Sequence, residues 1–346
     1  MPITIPITGT GYYPSDTQAA INYFSVIHRR INPFVIDATF RKQPTFLYFV
    51  LRDLAERYEG GFNPINQPIY FTDWGAQISK LSWTSEFTSS PIKMPIVPAQ
   101  WNIAGVVVGI ETVFTEWSLI QGAGSPMAVI DTIKARFTDF YFALVDYLDT
   151  KIMGKATAAD EFNGMQDAVD DGTNVATYGG LSRTDYPNWA AVVYNNTDTT
   201  TDAWKLIIIY LHKYANAMGR IPFNLILCGW GVFNKIALSM TAIERMIIAT
   251  PQEIDLTRGV GVQALNINGI NIIANSKITD NTVYFLNFRD FKFMYNPDAF
   301  FSLLGPESLL PVGVVGWRCA ILFAGQFYCT NCRNQMKVTN FQATSL

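Results

Sequence analysis

Charge is scarce in this sequence. Of its 346 residues only 15% are Asp, Glu, Lys or Arg, against about 25% in an average globular chain. The 25 basic and 28 acidic residues leave a net charge of −3, and the nearest thing to a basic run is the short His28–Arg30. A chain with no basic excess and no basic stripe has no general attraction for phosphate backbones. That excludes a dedicated nucleic-acid binder. Histidine is rarer still, with only His28 and His212. No Ser-His-Asp or Cys-His set can be assembled around them, and His212, in "YLHKY", reads as a half-buried structural residue. The cysteines fall at 228, 319, 329 and 332. Four are too few for a disulfide framework in a chain this long and fit reduced thiols in a cytosolic protein. No apolar run reaches the length of a membrane span, and the opening "MPITIPITGTGYYP" lacks the charged start and apolar segment of a signal peptide. The phosphate-loop and dinucleotide glycine patterns are missing, as are Gly/Ser linkers and internal repeats.

Apolar residues are abundant instead: 49% of the chain is hydrophobic and 14% aromatic. Two readings follow. Either the core is large and aromatic, or part of the surface is covered by a partner, since interface centres favour aromatics and exclude charge. Composition alone leaves them level.

Along the chain, residues 1–38 read as an extended arm, broken by Pro2, Pro6, Gly9, Gly11, Pro14 and Pro33, residues that disfavour helix interiors. Leu47, Val50, Leu51 and Leu54 predict a helix from about Thr45 to Tyr58, ended by Gly60-Gly61. From Pro68 to Glu116 the pattern is β-like and irregularly alternating, with Pro91, Pro95 and Pro98 between its parts. This reads as a long projecting two-stranded ribbon. A lone ribbon is marginal in water, so it is expected to lean on a neighbouring chain. Ser125 to Gly154 carries the strongest helix pattern. Ser125 and Pro126 suit its start, and Ile130, Ile133, Phe137, Phe140, Leu144, Leu148 and Ile152 form one stripe. Such a helix spans roughly 40 Å. After it come a polar, glycine-bearing stretch from Gln166 to Trp189, helices over Thr201–Arg220 and Trp230–Met240, and a strand over Pro222–Cys228. Further strands close the chain, including a hairpin turning at Asn268-Gly269. The class is α+β.

Candidate chemistry is thin. Asp170-Asp171 could bind a cation or serve hydrolysis, but sequence neighbours usually diverge, so a solvated turn is favoured. Cys329 and Cys332 have zinc-ligand spacing, yet a structural zinc needs two further ligands. No catalytic residues and no cofactor are assigned. Trp74, Trp83, Phe87 and Trp101 stud the ribbon. They suit either a stacking face for sugars or bases or anchorage on a neighbouring subunit. Anchorage is favoured, because the ribbon lacks accompanying Arg and Lys.

The order of elements, with "EFNGMQDAVDDGTNVATYGGLSRTDYPNW", "VGVQALNINGINIIANS", "YFLN" at Tyr284–Asn287 and "GQFYCTNCRNQMKVTN", resembles the major capsid protein of tailed bacteriophages, the Hong Kong 97 type of shell subunit. Cys332 stands where that family commonly has Pro. The resemblance covers nearly the whole chain, and the order of its motifs is more specific than any one of them. It implies an N-terminal arm at 1–42, a first part of the peripheral domain at 43–67, an E-loop ribbon at 68–122 and a spine helix at 123–155. An axial domain at 156–310 and C-terminal strands at 311–346 returning to the peripheral domain complete the set. It also implies a non-enzymatic subunit of an icosahedral head, assembling as pentamers and hexamers around DNA in the host cytoplasm and residing in the virion. Scaffold, portal and decoration proteins would be its partners. No long helical prodomain precedes the arm, so a separate scaffold, or none, is expected. Gln166–Trp189 is then expected to be a contact surface between the peripheral and axial regions, or between subunits, rather than an active site, with Arg183 and Trp189 as its anchors. Two rivals remain: an encapsulin-like shell for protein cargo, and a carbohydrate-active hydrolase using the ribbon aromatics with Asp170-Asp171.

Overall fold

The computed structural model describes residues 50–58, 64–70, 96–112, 143–157, 161–239, 264–279, 281–308 and 317–341. The expected arm, the ribbon residues Trp74, Trp83 and Phe87, and the start of the long helix lie outside the described residues.

A single π-type turn, Val50–Leu54, runs directly into strand β1, Ala55–Arg57. The helix expected as far as Tyr58 therefore stops short. Ala55–Arg57 pair in parallel with Phe293–Tyr295, and ladder bonds to a buried strand outweigh a helix preference of fractions of a kcal/mol per residue. β2, Ile65–Tyr70, and β3, Ile96–Trp101, form an antiparallel two-stranded ribbon in which Pro68 faces Pro98. Neither proline has an N–H, so they suit only a non-hydrogen-bonded pair of the ladder. β4, Ala104–Thr112, leaves the ribbon and joins a larger sheet. Helix α1 occupies 143–153 of the expected spine. Leu144, Leu148 and Ile152 are buried on its stripe, and Val145, Asp149 and Met153 are buried beside them.

A short helix α2, Met165–Ala168, and a hairpin of β5, Thr177–Tyr178, with β6, Leu181–Ser182, punctuate the next stretch. Then follow β7, Val192–Asn195; α3, Ala203–Met218; β8, Leu225–Cys228; and α4, Trp230–Ser239. Gly219 ends α3 in the left-handed conformation at φ +76°, its N–H bonded to Ala215 O. β9, Ala264–Ile267, and β10, Ile270–Ala274, turn at Asn268 (φ +52°) and Gly269 (φ +80°), the paired positive φ of a tight hairpin turn. β11, Val283–Leu286; β12, Phe291–Tyr295; β13, Ser302–Ser308; β14, Trp317–Cys329; and β15, Met336–Thr339, complete the described chain.

These strands build two main sheets. In the five-stranded sheet, β14 pairs with β12, β13 and β4, and β1 extends it beyond β12. The six-stranded sheet runs β7-β15-β11-β8-β10-β9. Its central strands are buried on both faces, and alternate residues serve two different cores. Leu225, Leu227, Tyr284 and Leu286 join the core shared with the five-stranded sheet and α1. Ile226, Cys228, Val283 and Phe285 join a second core beneath α3 and α4. Burial on both faces is why "NLILC" and "VYFL" read as continuous apolar runs. Phe301 takes φ +52°, a costly state for a bulky side chain, and it is held there by burial against Phe323 at 4.9 Å.

Sheet pairing runs across position 310. β12 and β13, before that point, belong with β14; β15, after it, lies between β7 and β11 of the other sheet. The C-terminal strands thus join both sheets.

Phe291 and Phe327 stack at 5.3 Å, nearly parallel, across β12 and β14. Phe327→Ala is expected to lose about 3–5 kcal/mol, the usual cost of an emptied aromatic site, as a lower urea midpoint at unchanged slope. A loss below about 1 kcal/mol contradicts close packing at this strand.

Candidate functional site

The polar stretch between α1 and β7 is an irregular segment whose backbone is satisfied largely by two of its own side chains. Asp170 collects donors. Its carboxylate accepts from the N–H groups of Gly172, Asn174 and Val175 and from Asn174 Nδ2, all at 2.9–3.1 Å. Arg183 collects acceptors. Its Nη1 donates to Val175 O at 2.9 Å, and its Nη2 donates to Asp167 O at 2.6 Å and Ala168 O at 3.1 Å. The guanidinium also lies over the Tyr178 ring at 5.3 Å. Arg183 Nη1 and Lys337 Nζ stand 3.9 and 3.6 Å from the Asp170 carboxylate, so this buried anion faces two cations. Burial pushes the Asp170 carboxyl up, but the hydrogen bonds from Asn174, Val175 and Gly172 outweigh it and hold the group below its usual range.

The segment is tied to α1 at its start. Gln166 N–H donates to Gly154 O, and a Cβ on Gly164 would lie 2.1 Å from that same oxygen, so only glycine fits there. Asp167 Oδ2 accepts from Ala156 N and Gly164 N; burial dominates its environment and raises its pKa. Outside, Glu161 is held at about 2 by the Lys151 ammonium and by Thr157.

At its far end the segment grips the ribbon base. Gly179 and Gly180, at φ +59° and +75°, turn the β5–β6 hairpin. A Cβ on Gly179 would stand 2.9 Å from the Trp101 ring, and Gly179 O accepts from Gln100 N at 2.8 Å. Trp101 is buried among Tyr328 (4.5 Å, stacked), Tyr178 (5.8 Å) and Trp189 (6.4 Å). Trp189 Nε1 donates to Tyr178 O, and Cys329 N donates to Tyr178 Oη. Trp101 Nε1 and Tyr328 Oη have no hydrogen-bond partner, so stacked area rather than polar pairing holds them. Gln326 of β14 completes the junction, donating to Asn102 O at 2.6 Å and accepting from Asn163 N at 3.0 Å.

The expected contact residues are therefore revised. Trp101, Arg183 and Trp189 were candidates for a subunit interface, the last two also for a contact between regions of the same chain. All three are interior, because the unpaired backbone of the segment and the ribbon base claim them first. Asp170 is no solvated turn residue, whereas Asp171 is exposed. The two carboxylates diverge and cannot share a reacting group. His212 is exposed rather than half-buried. Cys329 and Cys332 are buried thiols, and among the described residues no cluster of three or more His, Cys, Asp or Glu is placed to hold a metal. Tyr178, Gln326, Tyr328 and Lys337 were not singled out from sequence. Only the D-D-G-x-N spelling, typical of a side-chain-capped turn, hinted at the role of Asp170.

No protein-family model and no curated protein matches the chain. Solved structures do. The capsid asymmetric unit of cyanophage A-1(L) is similar at TM-score 0.59 and 13% identity, over 87% of this chain and 93% of that one. The capsid of the native GTA particle is similar at 0.51 and 10% identity, over 84% and 89%. The empty GTA particle gives 0.50 and 12%, over 84% and 95%. The chain has the Hong Kong 97-type capsid fold, with the mixed helices and strands expected for it.

Arg183→Ala is expected to cost about 3–5 kcal/mol, as for other broken buried charge clusters. Arg183→Lys should recover little of this, because an ammonium cannot fork between carbonyls. The anchor also predicts a pH signature. Asp170's lowered pKa contributes stability that is present above the unfolded value, about 4, and lost as pH falls through the lower folded value. Asp167 acts oppositely: its raised pKa makes the carboxylate a penalty at neutral pH, relieved on acidification. Asp170→Asn should therefore be less stable at neutral pH yet lose less than the parent below about pH 4. Parallel urea-midpoint curves against pH contradict this role.

Proposed function

We propose that this chain is a structural subunit of an icosahedral bacteriophage head, assembling as pentamers and hexamers that enclose packaged double-stranded DNA. The observation that supports it most is the fold match to a phage capsid subunit over nearly the full length of both chains. A fold hosts many functions, so the local features matter too. The ribbon base is clamped by a purpose-built anchor, while the ribbon's outer described pair, Tyr70 opposite Ile96, is 65% and 52% exposed. An apolar pair held out on a rigid base suits burial against a second copy. The reading assigns residues 1–42 to an arm, 68–112 and its continuation to 122 to the E-loop region, and 123–155 to the spine. The exposed rim of the anchored segment, Thr173, Asn174, Ala176 and Thr177, then meets neighbours in place of Arg183 and Trp189. The net charge of −3 fits a container that confines DNA without gripping it. Head-to-tail contacts that close make the rings such a shell needs. Scaffold, portal and decoration proteins, assembly in the host cytoplasm and residence in the virion belong to the same reading.

Electron microscopy of the expressed chain is expected to show closed or partial shells, with pentamers or hexamers in sedimentation. A monomer at every concentration overturns the proposal. The double variant Tyr70→Ser/Ile96→Ser should shift the unfolding free energy by no more than about 0.5 kcal/mol, as exposed substitutions do, while reducing the yield of shells.

A further inference from the structure

An asparagine followed by glycine is open to attack on its side-chain amide by the next backbone nitrogen, since the missing Cβ of glycine leaves that nitrogen uncrowded. The sequence has two such pairs, Asn163-Gly164 and Asn268-Gly269, and the fold treats them differently. Gly164, just before α2, is buried, and its N–H donates to Asp167 Oδ2 at 2.9 Å. Asn163 N–H donates to Gln326 Oε1 at 3.0 Å, and the backbone of Gly154 and Lys151 crowds the glycine. That pair has no room to turn. Asn268 and Gly269 are both exposed at the tip of the β9–β10 hairpin, with φ +52° and +80°. Here the glycine nitrogen is restrained by a side chain: Gly269 N–H donates to Asn266 Oδ1 at 2.9 Å. Asn266 is itself held across the hairpin, its Nδ2 donating at 3.0 Å to Oδ1 of its cross-strand partner Asn271.

We propose that Asn268 is a deamidation site whose rate is set by Asn266, which holds the attacking nitrogen inside the closed turn. This stands apart from the shell reading, since it concerns a single chain. In the reaction Gly269 N gives its proton to solvent base and attacks Asn268 Cγ. The N–Cγ bond forms, the Cγ–Nδ2 bond breaks, and ammonia leaves a five-membered succinimide. Water then opens the ring at either carbonyl, giving aspartate or isoaspartate. The net change is amide plus water to acid plus ammonia, with no redox step. The proton lost is the one that Asn266 Oδ1 accepts, so that bond must break before attack. The reacting atoms are already joined by the chain, so rotations within an exposed turn suffice and the sheet need not open. Isoaspartate adds a methylene to the main chain, for which a two-residue turn has no slack, so the product loosens β9 at the end of the six-stranded sheet.

The test holds the full chain in mildly alkaline buffer and follows it by peptide mapping, with electron-transfer fragmentation to separate isoaspartate from aspartate. In the folded chain the Asn268 peptide should gain one mass unit with time while the Asn163 peptide stays unchanged. In urea above the unfolding midpoint both should react at similar rates. Asn266→Ala should speed the folded-state reaction at Asn268 about two- to tenfold, the rate equivalent of one net hydrogen bond. Asn266→Asp keeps an acceptor for the Gly269 N–H and should stay near the parent rate. Asn271→Ala loosens the hairpin but leaves the acceptor, so it should accelerate the reaction less than Asn266→Ala does. An unmodified Asn268 in the folded chain overturns the proposal, as do equal folded-state rates at Asn163 and Asn268, an Asn266→Ala rate equal to the parent's, or an equal acceleration by Asn271→Ala.

Discussion

An irregular segment can enter a protein interior only if its peptide groups find partners there. That constraint governs this molecule between α1 and β7. Helices and sheets pair their own backbone; this stretch pairs much of its own through Asp170 and Arg183. The carboxylate takes N–H groups from 172, 174 and 175, and the guanidinium takes carbonyls from 167, 168 and 175. One side chain only accepts and the other only donates, so together they organise a loop that neither could organise alone. Val175 is served by both, its N–H by Asp170 and its carbonyl by Arg183, which makes it the point where the two halves of the anchor meet.

Much of the fold's connectivity follows. With its interior satisfied, the segment can press the Gly179–Gly180 turn onto Trp101 and fix the ribbon base. The same aromatic cluster contains Tyr328 of β14, and Lys337 of β15 faces Asp170. The ribbon, the end of α1, the five-stranded sheet and the six-stranded sheet therefore all touch one buried junction.

Periodicity made much of the described architecture legible. The stripe that ends at Ile152, the helix over Ala203–Met218 and the Asn268-Gly269 hairpin each carry a local signal that packing reinforces. Where tertiary pairing overrode propensity, the reading failed: Ala55–Arg57 became a strand because β12 offered a parallel ladder. The anchor was harder to read, because its partners lie far apart in sequence. Nothing in the local pattern around Asp170 announces Lys337, and nothing around Trp101 announces Tyr328. Arg183 and Trp189 stood out by residue type, but residue type alone does not say whether such an anchor faces inward or toward a partner.

Composition posed the same choice: abundant aromatics could fill a core or cover an interface. Among the described residues the core accounts for most of them. Phe162, Phe285, Phe291, Phe293, Phe323 and Phe327 are all buried. What remains outside among the described residues is Tyr70 and Ile96 on the ribbon, Tyr147 on α1, Ile209 on α3, Ile221 just beyond it, and Trp230 and Leu238 on α4. Scattered exposed apolar residues are ordinary, so the last five argue little. Tyr70 and Ile96 differ because they are cross-strand partners, exposed side by side at the last described pair of the ribbon. A two-stranded ribbon is marginal in water, so the proposed burial against a second copy rests on this pair rather than on composition.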